Sequence, residues 1–214
     1  AGVLSFQART PFFDGCTERE VRRWSEAMRT FLEKVSIHQG GRPLLVKNPV
    51  YTARMARLRS IWPEARFVHI HRNPYEVFAS TLHYYRRMWA DLALQPFDHV
   101  DLEAFVLETY RRLYAQYDRD AAEVPDDRLI DVSFEDLEAR PLDVLRAIHA
   151  QLGIEGWDET KPRVEAYLDG LGGYRKNRFD YPTGLVERVD ASWGDYVARW
   201  GYAPPSTDAE WGGS

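Results

Sequence analysis

The stretch RFVHIHRNPYEVFAST, residues 66–81, constrains this chain more than any other. A short run of strand formers ends at Arg72, and Pro74 follows almost at once with apolar residues at helical spacing behind it. Proline presets φ for a helix and has no N–H to lose at the first helical position, so Asn73-Pro74 reads as a cap and a helix start. The expected helix runs to about Trp89. Phe78, Leu82, Tyr85 and Trp89 form its apolar stripe, and Glu76, Ser80, His83 and Arg87 its polar one. A strand that passes directly into a helix is half of a β–α–β unit, and the remaining questions are how often the unit recurs and what its edge is for.

The same grammar appears twice more. Leu44-Leu45-Val46 is a continuous apolar run that suits a strand buried on both faces; it ends at Lys47-Asn48-Pro49, and a helix is expected from about Thr52 to Trp62. Leu129 to Val132 is a third expected strand, followed by the Phe134-Glu135-Asp136 corner and a helix opened by Pro141 and stopped by Gly153. Thr17-Glu18-Arg19-Glu20 is a capping box that predicts a helix over 18–35. Further helices are expected over 102–121, 160–169 and 184–200, with a loop at 91–100 and a disordered tail from 204 to 214. Strands separated by helices predict right-handed crossovers and the α/β class, a three-layer parallel sheet flanked by helices, in one domain over 1–203.

Ligands of such sheets sit at the carboxyl ends of the strands, which selects Lys47, Arg72 and the Phe134 corner. Arg72 leaves the sheet beside a helix N-terminus, where partial positive charge and backbone donors gather, and its guanidinium is a fork of donors matched to phosphate. Ser80 lies two turns along the polar stripe, within reach of the same anion. The plain alternative is an Arg72–Glu76 salt bridge with Ser80 solvated. Lys47 offers a compact cation at the neighbouring edge, or is an exposed strand-end lysine. The segment GGYRKNRF, residues 172–179, adds Arg175, Lys176 and Arg178 in a glycine-led loop of the kind that closes over phosphates or is merely solvated.

Composition narrows the partners. A net charge of −5 over 214 residues argues against bulk nucleic-acid binding while leaving room for a local basic pocket. No apolar run approaches the ~20 residues that span a bilayer. The single cysteine, Cys16, excludes a disulfide within the chain and fits a reducing, cytoplasmic setting. Six scattered histidines show no metal-ligand spacing, so no metal is expected.

From Arg42 to Tyr202 the chain resembles the PAPS-dependent sulfotransferases, especially their bacterial-type carbohydrate and small-molecule branch. LLVKNPVYTARMARLRSIWPEARFVHIHRNPYEVFASTLH resembles that family's lysine-proline strand end and 3′-phosphate motif. VSFEDLEARPLDVLRAIHAQLGI resembles its tyrosine-glutamate-aspartate-leucine corner, and YRKN its cofactor loop. The resemblance implies a P-loop-NTPase-like fold and a nucleotide donor, 3′-phosphoadenosine-5′-phosphosulfate (PAPS), with a hydroxyl- or amine-bearing acceptor. It implies that Arg72 and Ser80 bind the 3′-phosphate, that Lys47 steadies the sulfuryl group and bridging oxygen, and that Arg175 and Lys176 close over the nucleotide. Phe134 stands where the family has a tyrosine beside the nucleotide, and Glu135 and Asp136 organise the corner. No phosphosulfate loop precedes Lys47, so the chain is expected to be a fragment without the first strand and that loop. Tyr51 stands where relatives often carry a histidine; a phenol near pKa ~10 is a poor base at neutral pH, which makes His83 the substitute candidate, with His69 and His71 assigned to the core or its edge. The aromatics from Tyr84 to Trp89 and the loop after them are candidates to line the acceptor pocket, or are core. A kinase would need a phosphate loop ending in lysine, which is absent from this sequence; a non-catalytic nucleotide-binding or scaffold protein is the rival from another class.

Overall fold

The computed structural model describes residues 9–171 and 184–205. Contacts divide the chain into two compact units, Ala1–Phe67 with Arg112–Arg128, and Val68–Arg111 with Leu129–Ser214.

In the first unit, α1 (Glu18–His38) begins at the capping box. The Thr17 hydroxyl accepts from Glu20 N–H at 3.3 Å, and Glu20 accepts from Thr17 N–H at 2.8 Å. A 3-10 turn (Pro49–Ala53) and α2 (Met55–Ile61) replace the single helix expected over 52–62. The break falls at Arg54, whose φ of −135° is not helical. Its guanidinium lies 4.4 Å from the Phe13 ring centre and 4.7 Å from that of Trp24, and its Nε donates to the Pro11 carbonyl at 3.0 Å. These distant partners hold the arginine inward. Met55, Leu58 and Ile61 form the buried face of α2, and Asp120 accepts from Ala56 N–H in its first turn at 2.9 Å.

Leu44-Leu45-Val46 forms no strand, which corrects the sequence reading. Leu45 is 96% exposed, and the sheet of the described residues has two strands. A strand requires a neighbour to take its N–H and C=O groups, and an apolar run does not provide one by itself.

In the second unit, β1 (Phe67–His71) pairs with β2 (Leu129–Ser133) in a parallel sheet. Between them in the chain come α3 (Pro74–Leu92) and α4 (Leu102–Ala121), whose residues from Arg112 on belong to the first unit, so the crossover expected of an α/β chain is present. Asn73 caps α3, its side chain accepting from Tyr75 N–H at 3.1 Å. After β2 come α5 (Phe134–Ala139), α6 (Pro141–Gln151), α7 (Trp157–Asp169) and α8 (Leu185–Trp200). Helix α7 starts earlier than the expected residue 160: Gly156, at φ +80°, turns the chain into it, and Pro162 lies inside it. Ile130 and Val132 pack with Ile148 and Leu152 in one cluster. The face of α3 rests on α8, where Trp193 is fully buried, stacked on Tyr110 at 3.9 Å and edge-on to Phe78 at 5.7 Å. Tyr75 donates to Asp190 at 2.5 Å, and burial together with that bond pushes its phenol up to about 12. Among the described residues no helix is long and apolar enough to cross a membrane. Of the 204–214 tail, residues 206–214 lie outside the description.

Candidate active site

The carboxyl ends of β1 and β2 are chemically unlike the strands behind them. In β1 the histidines point inward and the isoleucine outward: His69 and His71 are buried, whereas Ile70 is 48% exposed. This agrees with the assignment of both histidines to the core or its edge. Partners explain the inversion. His69 Nδ1 is 2.5 Å from Asp131 Oδ1 on β2. His71 stacks on Trp200 at 4.5 Å with an interplanar angle of 5°, and its Nδ1 is 2.8 Å from the Tyr202 hydroxyl. Burial, and then the neighbouring His69, lower the pKa of His71 in spite of the acidic residues around it.

Glu135, in the first turn of α5, is the hub of this edge. Its Oε1 accepts from the backbone N–H of Asn73 at 3.0 Å, and its Oε2 accepts from Ser133 at 2.9 Å and from Tyr202 at 2.8 Å. Burial pushes the Glu135 carboxyl up, but the bonds from Asn73, from its own N–H, from Tyr202 and from Ser133 outweigh it, and the group stays below its ordinary range. Glu135 is therefore a carboxylate, which accepts only. The Tyr202 proton goes to it, and His71 donates its Nδ1 proton to the phenol oxygen.

Arg72 stands between these features. Its guanidinium lies 4.8 Å from the centre of the Phe134 ring, and its Nε and Nη2 donate to Glu76 Oε2 at 3.1 and 2.6 Å. The i,i+4 salt bridge weighed from the sequence is thus formed, at a guanidinium that is 29% exposed. Ser80 is half-buried, and its hydroxyl donates to the Val77 carbonyl at 3.2 Å. The structure brings Arg72 to Phe134 and leaves Ser80 bonded within its own helix. The α3 terminus also offers fewer donors than the sequence suggests: Asn73 N–H belongs to Glu135, Tyr75 N–H to the Asn73 side chain, and Pro74 has none.

His83 is exposed, one turn beyond Ser80 on α3. Lys47 is exposed on an irregular segment of the first unit, not at a strand end, which corrects that placement. Tyr51 is half-buried, its hydroxyl 3.8 Å from Met28 Sδ. Arg175, Lys176 and Arg178 lie outside the described residues. Beyond Trp89, a shallow groove of about 320 Å³ is lined by Trp89, Ala90, Ala93, Leu94, Pro96 and Phe97, among others. Among the described residues no group of three or more His, Cys, Asp or Glu is placed to hold a metal ion.

This edge, with an arginine on an aromatic ring at the exit of a parallel strand, can be compared with known proteins. Residues 6–159 match the Sulfotransferase family. The chain belongs to the sulfotransferase family. Across 206 residues, 94% of this chain, it is 29% identical to the omega-hydroxy-beta-dihydromenaquinone-9 sulfotransferase Stf3 of Mycobacterium bovis and equally to that of Mycobacterium tuberculosis. It spans about half, 53%, of the length of those curated relatives. Its fold is similar to that of the sulfotransferase STF9 from Mycobacterium avium, with a TM-score of 0.63 and 19% identity over 74% of this chain and 42% of that one.

Sequence reasoning missed Tyr202 and the bond from Asn73 N–H to Glu135. One local signal for the first exists: Gly201, at φ +66°, ends α8 and turns the chain so that the next residue leaves the helix axis.

Proposed function

We propose that this sulfotransferase moves a sulfuryl group from PAPS to a hydroxyl or amine of a small-molecule, carbohydrate or similar acceptor. The observation that carries the reading is the half-buried Arg72 guanidinium on Phe134 at the carboxyl end of β1, in a chain matched over most of its length by the Sulfotransferase family. The donor set suits a phosphate. Nε and Nη2 are held by Glu76, so the fork is already oriented and its remaining amino group is the one left for a ligand. Ser80 adds a hydroxyl on the same helix, once its proton turns from the Val77 carbonyl. Phe134 gives the nucleotide an apolar face without the hydrogen bond of a tyrosine.

In the reaction the acceptor oxygen or nitrogen attacks sulfur. The bond from sulfur to the bridging phosphate oxygen breaks, adenosine 3′,5′-bisphosphate leaves with that electron pair, and the acceptor proton passes to a base. Lys47 takes up charge on the leaving oxygen, Arg175 and Lys176 close on the nucleotide, and His83 is the base candidate of this chain. The curated relatives are named for an omega-hydroxylated dihydromenaquinone; from that name we carry over only a hydroxyl as the acceptor group. The groove after Trp89 is the acceptor-side candidate.

The test is calorimetric titration with adenosine 3′,5′-bisphosphate, which keeps the 3′-phosphate and cannot react. The chain is expected to bind it, and Arg72→Ala to weaken binding about tenfold or more, the loss of one hydrogen bond to a charged group. Unchanged affinity in that variant removes Arg72 from the site. Binding without transfer in a sulfuryl-transfer assay favours the non-catalytic nucleotide-binding reading.

A further inference from the structure

Glu135 belongs to neither the donor side nor the acceptor side of this scheme, yet three hydrogen bonds converge on its carboxylate. Two adjacent residues of α5 grip one junction in two ways. Phe134 lies against the Arg72 guanidinium at 4.8 Å, and Glu135 accepts the N–H of the Arg72–Asn73 peptide at 3.0 Å. The grip is closed from the far end of the chain. Tyr202 donates to Glu135 at 2.8 Å, and the Asn73 side-chain amide donates to the Ala203 carbonyl at 3.1 Å. A carboxylate here is otherwise costly, because it places negative charge next to a pocket that is to receive a phosphate. Its bonds indicate what offsets that cost: they fix the peptide from which Arg72 projects, and Asn73, which caps the helix bearing Ser80.

We infer that Glu135, closed by Tyr202, is a positioning residue that sets the Arg72–Asn73 junction for the nucleotide's 3′-phosphate. This rests on the nucleotide reading above. The carboxylate acts through Arg72 and touches no substrate.

Sign and coupling separate this role from two simpler ones. If Glu135 acted only as a nearby charge, its removal would tighten anion binding. If it were only part of the scaffold, its loss and the loss of Arg72 would add. Acting through Arg72, it weakens binding when removed, and it has little left to weaken once Arg72 is gone. The experiment is a double-mutant cycle on the full chain, read by calorimetry with adenosine 3′,5′-bisphosphate, with folding of each variant checked by circular dichroism. Glu135→Ala is expected to bind about tenfold more weakly than the parent, the effect of one charge-assisted hydrogen bond. Glu135→Gln keeps an amide oxygen for Asn73 N–H and is expected between the two. The pair Glu135→Ala with Arg72→Ala is expected to bind no more than about twofold more weakly than Arg72→Ala alone. Should Glu135→Ala not fold, Tyr202→Phe replaces it in the cycle. That variant leaves the Asn73 and Ser133 bonds, and is expected to weaken binding about threefold, a fraction of one such bond. Equal or tighter binding by the Glu135 variants, or additive losses in the cycle, overturns the inference while the nucleotide reading stands. No binding by the parent chain overturns the nucleotide reading and the inference with it.

Discussion

Replacing Trp193 tests whether the second unit is built as described. The indole is fully buried, stacked on Tyr110 and edge-on to Phe78, and its Nε1–H donates to the Leu107 carbonyl at 2.9 Å. Truncation of a buried tryptophan to alanine costs about 3–5 kcal/mol through lost burial and the cavity left behind. The lost hydrogen bond adds about 1 kcal/mol, since the Leu107 carbonyl sits inside α4 and is not left bare. The expected loss for Trp193→Ala is therefore about 4–6 kcal/mol, a large share of the ~5–15 kcal/mol that holds a domain folded. Trp193→Phe keeps a ring against Tyr110 and gives up the bond and some volume, for about 2–3 kcal/mol. Urea titration followed by far-UV circular dichroism measures both, and the midpoints should fall in the order parent, Phe, Ala at a common slope. A Trp193→Ala variant within about 1 kcal/mol of the parent would refute the core, because surface substitutions stay in that range.

Two further predictions follow from single side chains. His71 is held neutral by burial and by His69, facing Asp131, Glu135 and Asp136, so its folded pKa lies below that of the unfolded chain. The unfolded state then takes up the proton first, and the contribution to stability, complete above about pH 6.5, is lost as pH falls from there toward the folded value. Urea midpoints from pH 7.5 downward should fall more steeply for the parent than for His71→Gln, and equal slopes would count against a buried neutral His71. Asp120, 4% exposed, accepts from Ala56 N–H at 2.9 Å and from Gln116 at 2.6 Å. Asp120→Ala should lower stability by about 2–3 kcal/mol, the worth of a hydrogen bond to a buried charge, and an unmoved thermal midpoint would contradict its role at the start of α2.

Much of this molecule is legible in its sequence because the deciding interactions lie within a few residues. The capping box of Thr17 and Glu20, the Asn73-Pro74 start, the span Leu102–Ala121 and the two strands Phe67–His71 and Leu129–Ser133 all follow from spacing and local stereochemistry. So does the placing of Arg72 at a strand exit, because a strand that passes straight into a helix puts its last residue at the sheet edge. The sulfuryl and nucleotide roles of Lys47, Arg175 and Lys176 rest on family resemblance.

Other features depend on partners far away in sequence. Leu44–Val46 has the composition of a strand and no ladder, because hydrogen-bonding groups need a neighbour that composition does not encode. Arg54 breaks a helix that its neighbours would continue, because Phe13 and Trp24 hold its guanidinium. Ile70 faces outward and two histidines inward, against their hydropathy, because Asp131, Trp200 and Tyr202 wait on that side. Sequence by itself determined the elements and the arginine at their edge. Tertiary structure alone decided what fixes the junction behind that arginine, since Glu135 meets Asn73 across 62 residues and Tyr202 across 67, and such contacts exist only once the chain has closed on itself.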